Sequence, residues 1–234
     1  YITRHGYWAA RSGFRPLALS AWGSDIARPD FDKNDLRIAM FALGWADLAH
    51  TGDESGKARL IELGCRPENV FIQPWGVDTE RFSPSARSAD VRAKLLGGRD
   101  GLIVTIAYAL EKQYNVAELV KAAPLVLEKR QDVKFLIIGD GSERKNLEKL
   151  AADLNVRDSV IFQGRVPNSE MHTHLASSDV YVDTYYSQTG GGGIGVAVME
   201  ALACGMPVVA AARPGVELGV SEGHNGYLYK TGDS

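Results

Sequence analysis

The sequence predicts an α/β protein, GT-B-like in its Rossmann-type doubly wound parallel sheets, and three observations support that reading. Short apolar runs rich in β-branched residues recur along the chain, longer segments of helical period alternate with them, and a glycine tract opens one of those helices. The runs are apolar on both faces, as strands buried between two helical layers must be.

In chain order the strand candidates are Pro16 to Ala21, Leu102 to Ala107, Val133 to Ile138, Val160 to Gln163, Val180 to Asp183 and Pro207 to Ala211. Val116 to Glu128 and Glu143 to Leu154 are the clearest helices. The second repeats Leu147, Leu150, Ala151 and Leu154 at spacings of three and four, opposite a solvated Lys and Glu face. Ahead of the first strand, Arg4, His5, Tyr7, Trp8, Arg11, Phe14 and Arg15 interleave basic and aromatic residues. The stretch reads first as an amphipathic helix packed on an N-terminal sheet, and second as a peripheral contact with a membrane surface. Asp30-Phe31-Asp32 has the D-x-D spacing of a metal-diphosphate site, but its place before the helical Leu36 to Ala42 favours a cap.

A break rich in Pro, Gly and polar residues, Pro74 to Pro84, is followed by a charged stretch and Gly97-Gly98. It divides the chain into residues 1–78, the end of an N-terminal domain, a linker over 79–101, and a nearly complete C-terminal domain over 102–234. Tyr1 stands in what reads as the middle of an element and Ser234 follows a turn, so the chain reads as truncated at both ends.

The chain has 234 residues, 45% of them hydrophobic and 24% charged, enough apolar material for a real core. A net charge of -3 gives no global reason to bind nucleic acid or an anionic bilayer. Cys65 and Cys204 belong to no C-x-x-C pair and read as reduced packing residues of a cytoplasmic protein. No apolar run approaches the roughly 20 residues that span a bilayer. His172 and His174, two apart on a helical segment, point to different faces and are not expected to share a metal. G-x-S-x-G and H-E-x-x-H are absent, and Gly139-Asp140-Gly141 lacks the third glycine of the dinucleotide fingerprint, so those hydrolases and nicotinamide dehydrogenases lack support.

The most informative stretch runs from Thr189 through Gly190-Gly191-Gly192-Gly193-Ile194-Gly195-Val196 into a helix bearing Glu200, which ends at Gly205 before another strand. A helix start offers unpaired N–H groups and the positive end of the macrodipole, and glycine lets backbone approach an anion. A diphosphate fits there.

Glu200-Ala201-Leu202-Ala203-Cys204-Gly205-Met206-Pro207-Val208-Val209 resembles the signature of retaining, GT-B fold glycosyltransferases of family 4. Gly76-Val77-Asp78-Thr79-Glu80-Arg81-Phe82-Ser83-Pro84, Ile138-Gly139-Asp140-Gly141, Val160-Ile161-Phe162-Gln163-Gly164 and Trp22-Gly23-Ser24-Asp25 resemble the same family, in its order. The resemblance implies hexose transfer, with retention, from a nucleotide-diphosphate sugar held by the C-terminal domain to a hydroxyl on a saccharide or lipid-linked acceptor held largely by the N-terminal domain. It implies no metal and no other cofactor, no nucleic-acid partner, and a place in the cytoplasm or at the inner face of the membrane. By the same resemblance Glu200 hydrogen-bonds the ribose, and Gly193, Ile194, Gly195 and Val196 offer backbone N–H groups to the diphosphate and donor sugar. Lys112 neutralises phosphate, and Gly139 and Val166 complete the substrate-binding set. Three positions depart from the family: Gly192 replaces a Glu, Tyr108 replaces an Arg, and Trp22 replaces a frequent His. The first two favour the rival reading of a nucleotide-sugar-binding module without chemistry; a second rival is another GT-B enzyme, such as a sugar-nucleotide epimerase.

Overall fold

In the computed structural model, residues 1–23, 25–26, 31–186 and 193–231 are described. They form two compact units. The first takes Tyr1–Trp75 with residues 193–195 and Arg213–Leu218, the second Gly76–Tyr186, Val196–Ala212 and residues 219–231.

The N-terminal unit opens with a wide helical turn, Ile2–Gly6, running into α1 (Tyr7–Arg11). It continues through β1 (Ala18–Ser20), α2 (Lys33–Trp45), β2 (Leu48–Thr51), α3 (Glu54–Glu62) and β3 (Val70–Ile72). The strands are parallel in the order β1-β2-β3. Asp32 caps α2, accepting from the N–H groups of Asn34 and Asp35 while Asp35 returns the bond, so the Asp at this end of the D-x-D spacing is committed to a capping box. Asp30 lies outside the described residues. Leu19, Ala49 and Val70 of the three strands pack with Leu43 of α2, Leu60 of α3 and Leu63 just after it.

The C-terminal unit begins where the linker was expected. Residues 79–101 carry α4 (Ala89–Leu96), cap it with Ser88 and bury Phe82, Leu95 and Leu96. Arg92 of that helix pairs with Asp179 at 2.8 Å and donates to the carbonyls of Ser177 and Gly101, fastening the segment to the C-terminal unit. A linker reading from Pro, Gly and charge missed these apolar anchors.

Then follow β4 (Leu102–Ala107), α5 (Ala117–Lys129), β5 (Val133–Ile138), α6 (Arg144–Asp153), β6 (Val160–Gly164), α7 (Asn168–Ala176), β7 (Val180–Asp183), α8 (Val196–Ala203), β8 (Val208–Ala211) and β9 (Gly226–Tyr229). The six strands are parallel in the order β6-β5-β4-β7-β8-β9. The two-residue period of a strand explains the layers. Phe135 and Ile137 of β5 face a core with Leu119, Val120 and Leu147 of α5 and α6, while Leu136 and Ile138 face Leu95 and Leu96 of α4 on the other side. The chain winds outward from β4 to β6, then restarts at β7 on the other side of β4. That reversal places a topological switch point beside the C-terminal end of β4, where open α/β sheets bind ligands.

Candidate active site

At that switch point lies a cleft of about 500 Å³. Its walls come from the carboxyl ends of three strands and from two helices: Ala107 and Tyr108 after β4, Gly139 and Asp140 after β5, Arg165 and Val166 after β6, Met171 of α7, and Val196 and Glu200 of α8.

The floor is backbone, and glycine makes it possible. Gly139 has φ +133, and a Cβ there would collide with the carbonyl of Tyr108; a Cβ on Gly141 would collide with the carbonyl of Leu110. The N–H of Tyr108 donates to the Ile138 carbonyl at 3.1 Å and that of Leu110 to the Asp140 carbonyl at 3.1 Å, so the two strand ends continue their pairing into the cleft. The Ile138-Gly139-Asp140-Gly141 segment is therefore fixed by close backbone approach.

Glu200 stands half-buried in the wall. Desolvation raises its carboxyl above its ordinary value and the Arg81 charge pulls it partly back. Arg81 itself is held by donation to the Asn168 carbonyl and lies over the Phe82 ring. Just past the end of α8, burial and the Glu200 charge push the Cys204 thiol up to about 11, so it stays protonated and unreactive at neutral pH. Cys65 is likewise buried, and both cysteines are free.

The predicted residues separate. Tyr108, Gly139, Val166, Val196 and Glu200 share the cleft. The Tyr108 hydroxyl donates to the fully buried Asp183 at 2.9 Å and its ring stacks on Tyr114 at 4.7 Å, so this phenol braces the end of β4 against β7. Lys112 lines a different pocket, with Glu111, Asn115 and Glu143. The exposed cation in the cleft is Arg165, which follows β6 and makes no hydrogen bond or ion pair among the described residues. Sequence reasoning missed it; its signal was a basic residue directly after a strand end. Gly193 and Ile194 belong to the N-terminal unit, where they line a small pocket with Trp22 and Trp75, and Gly193 takes φ +51 beside Asp53. Gly195 also falls in that unit. Gly192 lies outside the described residues.

A third feature is an aromatic and basic face on the N-terminal unit. The Tyr7 ring lies 5.3 Å from Trp8 and 5.5 Å from Phe41, Phe41 lies 6.4 Å from Trp45, and the Arg15 guanidinium sits over Trp45. Trp8, Phe14, Met40, Phe41 and Trp45 are exposed together with Arg4, Arg11, Lys33 and Arg37. No acidic residue precedes Asp25, which is itself buried. Among the described residues no helix is long and apolar enough to cross a membrane.

With this geometry in hand, comparison with known proteins is decisive for the family. The profile of glycosyl transferases group 1 matches residues 89–234. The chain belongs to this family. Its fold is the GT-B type expected from the sequence. The chain is 32% identical over 236 residues to the GDP-mannose-dependent alpha-(1-6)-phosphatidylinositol monomannoside mannosyltransferase of Mycolicibacterium smegmatis, covering 94% of this chain and 58% of that protein. It is 34% identical over 192 residues to the D-inositol 3-phosphate glycosyltransferase of Frankia alni, covering 77% of this chain and 45% of the relative. Among solved structures, Anabaena HepE in complex with UDP-glucose matches with a TM-score of 0.79 and 25% identity, over 97% of this chain and 62% of the other. The chain thus spans about half the length of the curated relatives it matches.

Proposed function

We propose that this chain holds the donor-binding half, and part of the acceptor-binding half, of a glycosyltransferase that moves a hexose from a nucleotide-diphosphate sugar to a hydroxyl with retention of configuration. The observation that supports it most is the switch-point cleft: a glycine-floored groove with a carboxylate, Glu200, in its wall. In this reading Glu200 accepts hydrogen bonds from the ribose hydroxyls, the backbone at Gly139 and Val166 packs along the nucleoside, and the α8 N–H groups meet the diphosphate. Arg165 supplies the cationic charge that a leaving diphosphate needs, and the proposal calls on no metal or other cofactor. Relatives that act on GDP-mannose and a solved structure holding UDP-glucose favour this reading.

Calorimetric titration of the chain with UDP and GDP tests it. Saturable binding of one of them is expected, and Glu200→Ala should weaken it roughly tenfold to a hundredfold, the loss of one or two charge-assisted hydrogen bonds. Silence with both nucleotides rejects the donor site. Retention is read from the anomeric proton of the transferred sugar by NMR; a product anomer opposite to the donor's overturns it.

We also infer that the face of α1 and α2 meets an anionic membrane at its cytoplasmic side. Exposed Trp and Phe with interspersed Arg and Lys match an interfacial zone, and the relative whose acceptor is a phosphatidylinositol derivative favours it. Co-sedimentation with vesicles containing anionic lipid should succeed at low salt, fall as salt rises, and drop at least fivefold in Trp8→Ala/Phe41→Ala. Equal binding by that variant, or none by the parent, removes the surface from the account.

A further inference from the structure

The carboxyl edge of the N-terminal sheet holds an aromatic pair with no place in the core. β1 ends at Ser20 and β3 at Ile72, the two outer strands of the sheet, and the chain leaves them through Trp22 and Trp75. The indoles converge to 4.5 Å between centroids at 35°. Trp22 remains 57% exposed, so burial does not account for its position.

Its surroundings hold it there. Asp25, fully buried, accepts from the Trp22 backbone N–H at 2.8 Å and from that of Ile2 at 2.8 Å. His50 of the central strand meets Trp75 edge-on at 5.3 Å and 80°. One ring nitrogen of His50 lies 2.7 Å from the Ser20 hydroxyl and the other 2.7 Å from the Gln73 carbonyl. A carbonyl only accepts, so Nε2 donates to Gln73, and in the neutral ring Nδ1 accepts from Ser20. The Trp22 backbone is thereby fixed at the end of β1, and its indole rests on a Trp75 ring that His50 meets edge-on. Beside them opens a socket of about 20 Å³ lined by Ala21, Gly52, Pro74 and Ile194, room for one water or one hydroxyl.

We propose that Trp22 and Trp75 form a stacking platform for the six-membered ring of a polyol, a hexopyranose or a cyclitol. The apolar C–H face of such a ring lies flat on an indole, where the negative face of the π-system attracts the ring's polarised hydrogens, and one ring hydroxyl enters the socket. The identification of that ring as the acceptor rests on the glycosyltransferase reading; the platform itself does not.

The test titrates the chain with methyl α-D-mannoside, with myo-inositol, and with vesicles of phosphatidylcholine with or without phosphatidylinositol, following the four tryptophan indole N–H signals by NMR. The expected result is saturable movement of the Trp22 and Trp75 signals by at least one polyol, at least tenfold weaker in Trp22→Leu, which keeps apolar bulk and loses the flat face. Calorimetric nucleotide binding by that variant should be unchanged, and the Trp8 and Trp45 indole signals, which lie in the same unit as Trp22, should keep their parent positions, which certifies its fold. Movement by the free polyols identifies a free ring as the ligand, and movement only by vesicles bearing phosphatidylinositol identifies a lipid-linked one. Three results overturn the platform: no movement with any probe, equal affinity in Trp22→Leu, or equal movement with plain phosphatidylcholine vesicles. Failure of the donor reading shows separately, as absence of nucleotide binding.

Discussion

The cleft of the C-terminal unit and the aromatic edge of the N-terminal unit occupy equivalent places in their sheets, beyond the carboxyl ends of parallel strands, yet they are made of opposite materials. The cleft is largely backbone, brought close by glycine, with the carboxylates of Asp140 and Glu200 and the guanidinium of Arg165 as its charged groups. The edge is side chain, two indoles in ring contact, with Asp25 accepting from the Trp22 backbone N–H and His50 edge-on to Trp75. Backbone offers every ligand the same N–H and C=O groups and so suits a part shared by many substrates, such as a diphosphate. Side chains differ from protein to protein and suit the part that distinguishes one acceptor from another.

The largest expected effect probes the backbone side of this contrast. Gly139→Ala must place a methyl group against the Tyr108 carbonyl at a φ that L-residues avoid, and both strand ends carry buried neighbours that resist movement. We expect a loss of about 3 kcal/mol in unfolding free energy by urea titration, from the sum of strain and overpacking. Gly193→Ala, at φ +51 with its new methyl 3.4 Å from the nearest atom, Asp53 Oδ2, should cost about 1 kcal/mol. Equal costs would mean that positive φ alone, and not close approach, explains the glycine at 139.

The next effect sharpens the account of charge inside the cleft. Arg165→Ala should lower nucleoside-diphosphate affinity about tenfold and flatten its salt dependence, while Lys112→Ala, whose side chain lines another pocket, should change it less than about twofold. Calorimetry at two ionic strengths separates the two. The reverse order would return the phosphate-neutralising role to Lys112.

Much of the fold was readable in the sequence because the C-terminal sheet is buried on both faces. All five strand candidates from Leu102 onward appear, within a residue at either end, since nothing else makes runs such as Val133-Lys134-Phe135-Leu136-Ile137-Ile138. The missed strands lack that signature. β2 reads Leu48-Ala49-His50-Thr51 with Leu48 exposed, β3 is three residues long with Phe71 exposed, and β9 begins with Gly226. Their identity comes from ladder partners far along the chain, which no local period records. The cleft divides in the same way. Gly139 and Glu200 stand in recognisable motifs, whereas Arg165 was placed only by the spatial order of β6 beside β5, and the departure of Lys112 from the cleft follows from the turn at Lys112–Tyr114. The pairing of Trp22 with Trp75 spans two crossovers and left no trace in either local sequence.

The smallest effect concerns protons, and it separates the cleft from the aromatic edge through Glu200, a residue that only the cleft has. Burial raises the Glu200 carboxyl, so the folded chain holds that proton more tightly than the unfolded chain does. The sign follows: as pH rises from the ordinary carboxylate value through the raised one, ionisation in the cleft removes stability, and above that window the loss is constant. Glu200→Gln has no proton to lose there. Its melting temperature should therefore rise relative to the parent across the window and stay higher at neutral pH. Nucleotide binding should respond the opposite way, because ribose hydroxyls donate better to a carboxylate than to an acid: parent affinity grows through the same window and the Gln variant's does not. The Trp22 and Trp75 signals, followed in the same titration, should report the same polyol affinity in the parent and in Glu200→Gln. Matching pH profiles for nucleotide binding in the parent and in Glu200→Gln would show that the carboxylate takes no part in holding the ribose.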